Sequence, residues 1–182
     1  MPLPKQYHTI EDIYNLQDGI RAELLDGQIY YMAPPSRAHQ RLVGEIYYTI
    51  SHYIKSNKGH CEVNVSPFAV FLNADNSVYV EPDISVVCDK DKLDDKGCHG
   101  APDWIIEVVS PGSRRMDYYT KLAVYKDAGV RLYWIVDIDK ANVVVYDLEH
   151  EAIPSIFSFN EAIPVEIHND FSIDFSTFHL TN

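Results

Sequence analysis

Residues 104–110 read WIIEVVS, and this short run decides the architecture. It is apolar on both faces of an extended chain except at Glu107, so it reads as a central strand covered from both sides. Upstream, residues 78–87 read VYVEPDISVV. In a strand, Val80, Ile84 and Val86 would share one face and Tyr79, Glu81, Asp83 and Ser85 the other. Downstream, SPGS makes a turn, and the spacing predicts a helix that runs to about Ala128 and stops at Gly129. On that helix Asp117, Lys121 and Tyr125 stand four residues apart and share a face. Two carboxylates in apolar runs therefore lie near a helix-borne lysine. A buried carboxylate is costly unless it is paired, hydrogen-bonded or bound to metal, so the trio Asp83, Glu107 and Lys121 is the candidate site.

Working outward, residues 21–25 and 28–32 read as two short strands joined at Asp26-Gly27, a dipeptide favoured in tight hairpins. Leu42, Val43, Ile46, Tyr47, Ile50 and Ile54 recur at helical spacing, which predicts a helix over 38–57 behind a Ser36 cap. Residues 60–72 read as a strand broken at Pro67, and 78–87 as a single strand. The acidic stretch 89–103 reads as a loop. RLYWIVDI and ANVVVYDL form a second hairpin, followed by a weak strand near 156–159 and IDFSTFHL as a short closing turn or helix. The sum is a mixed α/β (α+β) chain, a twisted sheet with a long helix on each side.

With 182 residues, 46% of them hydrophobic, and no low-complexity or linker-like stretch, the sequence reads as one domain over 1–182 with a real core. No apolar run approaches the roughly 20 residues that span a bilayer, and the start lacks the pattern of a secretory signal, so the expectation is a cytoplasmic protein with no membrane contact. Three cysteines, Cys61, Cys88 and Cys98, cannot all pair, and none forms C-x-x-C; they read as reduced structural thiols. A structural zinc is not expected, since Cys98-His99 has no second pair to complete four ligands. A formal net charge of −12 argues against coating nucleic acid by bulk electrostatics. Arg114, Arg115, Lys121, Lys126 and Arg131 nevertheless follow one another closely, which predicts a local basic rim.

The candidate trio has a definite chemistry. Phosphodiester hydrolysis needs a water in line with the leaving oxygen and stabilisation of charge building on the phosphate. Magnesium is hard, favours oxygen and keeps several waters, so two carboxylates and one carbonyl suffice from the protein. Asp83, Glu107 and the carbonyl of Val108 fit that list. Lys121 would position or help to deprotonate the attacking water and place positive charge near the phosphate. The bland alternatives are a buried ion pair for Glu107 and a solvated Lys121–Asp117 contact on the helix. Arg114 and Arg115 sit near a helix start, where the macrodipole disfavours cations; a DNA-phosphate contact and two exposed turn arginines explain them equally well. Tyr125 reads as a core residue or one that supports the site residues from behind, rather than a catalytic one. Ser36, Arg37 and His39 could touch DNA, but capping by Ser36 explains their placement as well. Neither a serine-hydrolase elbow nor a glycine-rich phosphate loop is present in the sequence.

The order PD, then E-x-V, then K-x-x-x-Y on a helix resembles the PD-(D/E)XK nuclease superfamily in the variant whose lysine has moved from strand to helix. Val109 stands where the general pattern has the strand lysine. More closely, ELLDGQIYYMAPPSRAHQ, EPDISVV, GAPDWIIEVVSPGSRRMD, KLAVYKDAGVRLYWIVD and VYDL resemble the Uma-two family of restriction endonucleases, over about 21–148. The resemblance implies a restriction-endonuclease-like fold, a mixed sheet flanked by helices. It implies magnesium-dependent cutting of DNA, with manganese as a substitute, leaving a 5′ phosphate and a 3′ hydroxyl, and it implies homodimers. Its motif residues fall on Glu23, Asp83, Glu107 and Lys121, with Glu23 assisting the metal or orienting a water. The alternatives are a non-catalytic module that keeps the fold and binds protein or nucleic acid, and a hydrolase of some smaller phosphodiester.

Overall fold

The computed structural model describes residues 7–168 and 170–178. A short helix α1 (Ile10–Tyr14) precedes the hairpin β1 (Ala22–Leu25) and β2 (Gln28–Tyr31), which turns at Asp26-Gly27 as expected. Helix α2 (Arg37–Ser56) begins at a Ser36 whose hydroxyl accepts from the His39 amide, and its Leu42, Val43, Ile46, Ile50 and Ile54 are buried. These two elements match the expected spans to within a residue or two.

The next strands are β3 (Glu62–Val65), β4 (Val70–Phe71), β5 (Tyr79–Val80), β6 (Ile84–Val87), β7 (Leu93–Asp94), β8 (Gly97–His99) and β9 (Trp104–Val109). A π-helical stretch (Met116–Lys121) runs directly into α3 (Leu122–Ala128), capped by Gly129 in the left-handed conformation at φ +90°. Strands β10 (Leu132–Asp137), β11 (Asn142–Asp147), β12 (Ser155–Ser158), β13 (Ala162–Pro164) and β14 (Ser172–Asp174) complete the chain, with a 3₁₀ turn at Phe175–Thr177. The closing turn is thus present, although His179 and Leu180 of IDFSTFHL lie outside the described residues.

The strands form a six-stranded sheet in the order β12-β11-β10-β9-β6-β3, a second in the order β2-β1-β5-β4-β8-β7, and the small β13-β14 pair. In the first sheet β9 and β10 are parallel and the helical crossover joins them, while every other pairing is antiparallel. All six positions of β9 are buried, as are all six of β10. Ile84, Val86, Trp104, Ile106, Val108, Trp134 and Val136 face α2 in one core. Ile105, Val109, Tyr133 and Ile135 face Tyr125 of α3 and the second sheet in another. The full burial of residues 104–109 that the sequence indicates is therefore real, and Glu107 alternates onto the α3 side.

Three expectations are corrected. Residues 78–87 are not one strand: β5 belongs to the second sheet and β6 to the first, with the break at Glu81, Pro82 and Asp83. Proline has no amide hydrogen for a ladder, so the chain leaves one sheet and enters the other at Pro82. The loop 89–103 carries a 3₁₀ turn and a small hairpin, β7-β8, because the Asp94 carboxylate accepts from the amides of Lys96 and Gly97 and closes the turn. Cys61 and Cys88 are not free thiols. They form a disulfide, because the β3-β6 register that pairs Glu62 with Val87 sets them directly opposite. Cys98 is the free, buried cysteine, its thiol pushed up to about 11 by burial.

Candidate active site

The β6-β9 register pairs Ser85 with Ile105 and Ile84 with Ile106. Continued by one residue, it sets Asp83 opposite Glu107, and the Asp83 amide lies 3.4 Å from Glu107 Oε2. Asp83 Oδ2 accepts from the Val108 amide at 2.8 Å. The two carboxylates thus meet because the break at Pro82 falls beside the end of the central strand.

Glu23 arrives from β1, on the second sheet. Its Oε1 accepts from the Glu81 amide at 3.0 Å, inside the same break. Lys121 closes the group from the helix: its Nζ donates to Glu23 Oε1 and to Glu107 Oε1, each at 2.9 Å, and lies 3.7 Å from Asp117 Oδ1. The Tyr125 hydroxyl donates to Glu107 Oε1 at 2.8 Å. The π-helical winding carries more residues per turn than an α-helix and ends at Lys121, and both Asp117 and Lys121 are buried on it. Lys121 is only 4% exposed, which excludes the solvated helix lysine.

One ammonium therefore touches three carboxylates, with Asp83 a fourth beside them. Burial pushes the Glu107 carboxyl up to about 8, with Lys121 opposing and Asp83, Asp117 and Glu23 reinforcing the rise. Burial likewise raises Asp117 against the pull of Lys121. Burial disfavours the charged Lys121, but Glu107, Glu23 and Asp117 outweigh it and hold the ammonium well above its ordinary range. Lys121 is a fixed cation, and Glu107 is the carboxyl whose ionisation the cluster resists. An additional divalent cation would relieve that excess of negative charge, and the oxygen donors of Asp83 and Glu107 suit a hard metal. The residues present fit such an ion.

These groups line a cleft of about 750 Å³ that also takes in Arg21 and His39. Arg21 is held by Glu81, which also accepts from the Tyr79 hydroxyl at 2.6 Å. His39 Nε2 lies 3.1 Å from Asp83 Oδ2. Burial works against the charged imidazole, but the hydrogen bond and charge of Asp83, the Val108 main chain and Asp117 hold it above its ordinary value.

The expected basic rim is largely neutralised. Arg114 lies 3.0 Å from Asp137 and 3.2 Å from Asp139, Lys126 lies 3.0 Å from Glu151, and Arg131 reaches Asp103 and Glu149. Asp137 is fully buried and needs the Arg114 charge. Of the two arginines weighed evenly between phosphate contacts and exposed turn residues, Arg114 is engaged internally and Arg115 stays exposed. The structure brings Glu23, Asp83, Glu107 and Lys121 together in space. Tyr125, expected to pack or to support the site rather than to catalyse, does both: it is fully buried in the core and its hydroxyl holds Glu107. The sequence alone leaves His39 undecided, because nothing local distinguishes it from a capped-helix residue.

No curated protein matches this chain. Among solved structures, a crystal structure described as a putative nuclease, from Anabaena variabilis, superposes with a TM-score of 0.76 at 19% identity, over 93% of this chain and 96% of that one. The likeness extends the mixed α+β architecture to a solved fold. A family model described as "Putative restriction endonuclease" matches residues 4–176, nearly the whole length, and so the chain belongs to the Uma2 family.

Proposed function

We propose that this protein is a magnesium-dependent DNA endonuclease, with Asp83, Glu107 and the Val108 carbonyl holding the metal and manganese able to substitute. The observation that carries this reading is the buried cluster in which a single ammonium, Lys121, serves Glu23, Glu107 and Asp117 beside Asp83. A bound divalent ion supplies charge stabilisation at the phosphate and a more acidic water. The chain's own residues do the rest. Lys121 has three N–H donors and spends two on Glu23 and Glu107, which leaves the third for the attacking water or a phosphate oxygen. Because its ammonium stays charged, Lys121 positions and neutralises rather than removing a proton. Glu23 fixes the lysine from the second sheet, and Tyr125 fixes Glu107. Arg115, which is exposed, is the arginine free of the internal pairs of Arg114 to Asp137 and Asp139 and is the one assigned to a DNA phosphate. The whole chain acts as one domain, in the cytoplasm, and the exposed Tyr47 and Tyr48 of α2 support a homodimer.

The experiment is cutting of supercoiled plasmid by the purified chain with Mg2+ or Mn2+. Nicking is expected, with loss of at least a hundredfold in Lys121→Ala, Asp83→Ala and Glu107→Ala. Absence of cutting across varied DNA substrates, or cutting that persists in Lys121→Ala, overturns the proposal. A non-catalytic module is the second reading, favoured by the engagement of Arg114, Lys126 and Arg131 with acids rather than with the cleft. It predicts no metal binding at millimolar concentration in a calorimetric titration.

A further inference from the structure

We propose that Arg21 is a phosphate-binding residue of the cleft, where its Nη1 donates to a non-bridging oxygen of the DNA strand; this rests on the nuclease reading above. Arg21 directly precedes β1, and its carbonyl accepts from the Met32 amide at 2.9 Å, so the β1-β2 ladder runs through it. Standing two residues before Glu23, it projects to the same side of the extended chain, and both residues line the cleft. Its Nε and Nη2 donate to Glu81 Oε2, and Nη2 also donates to Ser66 Oγ. Glu81 is fixed in turn, since its Oε1 accepts from the Tyr79 hydroxyl at 2.6 Å and its amide donates to Glu23 at 3.0 Å. The guanidinium plane is thereby held before any substrate arrives.

A guanidinium carries five N–H groups in a fixed fork. Three are spent on Glu81 and Ser66, while the two on Nη1 have no partner among the described residues, and Nη1 is not enclosed. The buried Glu81 needs a cation, and Arg21 meets that need with one edge alone. Its side chain stays 35% exposed. The other lysine or arginine on the cleft wall, Lys121, is almost wholly buried and shared by three carboxylates. A phosphate entering this acidic cleft therefore meets Arg21 as its accessible guanidinium. Charge-assisted bonds from a group already held in place lose little freedom on forming.

Single-turnover cutting of a labelled DNA duplex with Mg2+, with the full chain in varied excess and at several salt concentrations, tests this. It reads the half-saturating concentration, the maximal rate and the salt dependence separately. Arg21→Gln/Glu81→Gln removes both charges at once, so the net charge is unchanged and no buried carboxylate is stranded. Its half-saturating concentration should rise tenfold or more while its maximal rate changes less than threefold. The slope of log affinity against log salt should shrink by about 1, the loss of one phosphate contact. Wild-type affinity and slope in the double variant would show that Arg21 serves Glu81 alone and would overturn the assignment, leaving the nuclease reading standing. A maximal rate that falls as far as the affinity overturns it too, by placing the damage at Lys121. If wild type neither binds nor cuts DNA, the nuclease reading and this inference fall together. Should the double variant fail to fold, Arg21→Lys decides. It keeps a charge beside Glu81 but lacks Nη1, and should weaken binding threefold or more; wild-type affinity in that variant overturns the assignment.

Discussion

Glu107 is the residue on which the site's pH behaviour turns. Its carboxyl is pushed to about 8 from an ordinary 4.5, so the folded, metal-free protein retains a proton that the unfolded chain releases earlier. The contribution of this group favours the fold below about pH 4.5 and is lost as pH rises through about 8. Thermal denaturation in the presence of a chelator should therefore show the midpoint falling between pH 6 and 8.5. Added Mn2+ should raise the midpoint more at pH 8.5, where Glu107 would otherwise be an uncompensated buried charge, and Glu107→Gln should flatten the slope. Lys121 is the complementary case. Lys121→Met leaves Glu23 and Glu107 buried without their cation and should cost about 3–5 kcal/mol in urea denaturation. A loss under 1 kcal/mol would show that the carboxylates find another partner. Both residues were legible as chemistry from their sequence surroundings: a glutamate in an all-apolar strand and a lysine one turn from Asp117. Their mutual distance was not, since they stand 14 positions apart in sequence, across the end of β9, a turn and the π-helix.

At the scale of elements, the site depends on how two segments end. The start of α2 is set by the Ser36 hydroxyl on the His39 amide. Ser36→Ala should destabilise the fold by about 1 kcal/mol in chemical denaturation, the ordinary value of a lost N-cap. An unchanged midpoint would mean that the backbone holds the turn without it. The other segment is the break at Glu81-Pro82-Asp83. The alternating pattern of 78–87 is continuous in sequence, so a single strand was the natural reading. The two halves nonetheless pair with different sheets, β5 with β1 and β4, β6 with β3 and β9. Pro82 was the available clue. The periodicity of α2 and the burial of β9 were readable because each is a local pattern of apolar spacing.

At the scale of the whole molecule, the Cys61–Cys88 bond ties edge strand β3 to β6, which leads directly back to Asp83. It closes 27 residues of sequence, and such a link contributes roughly 2–4 kcal/mol. A guanidinium midpoint that drops by the corresponding amount under a thiol reductant, and likewise in Cys61→Ser/Cys88→Ser, is expected. No change on reduction would show that β3 is held by its ladder and core contacts alone. No helix among the described residues is long and apolar enough to cross a membrane. Net charge, the identities of the two acids and the lysine, the helix and strand periods and the likeness to a nuclease family were properties of the sequence by itself, because each depends on residue type or short-range spacing. The meeting of Glu23 from one sheet with Asp83 and Glu107 from the other, the approach of His39 across 44 residues to Asp83, the pairing of Arg114 with Asp137 and the disulfide were decided only by tertiary structure. These contacts depend on register and on which sheet a strand joins, and the free energy that selects them comes from burying both faces of β9 and β10 at once, a quantity no local stretch contains.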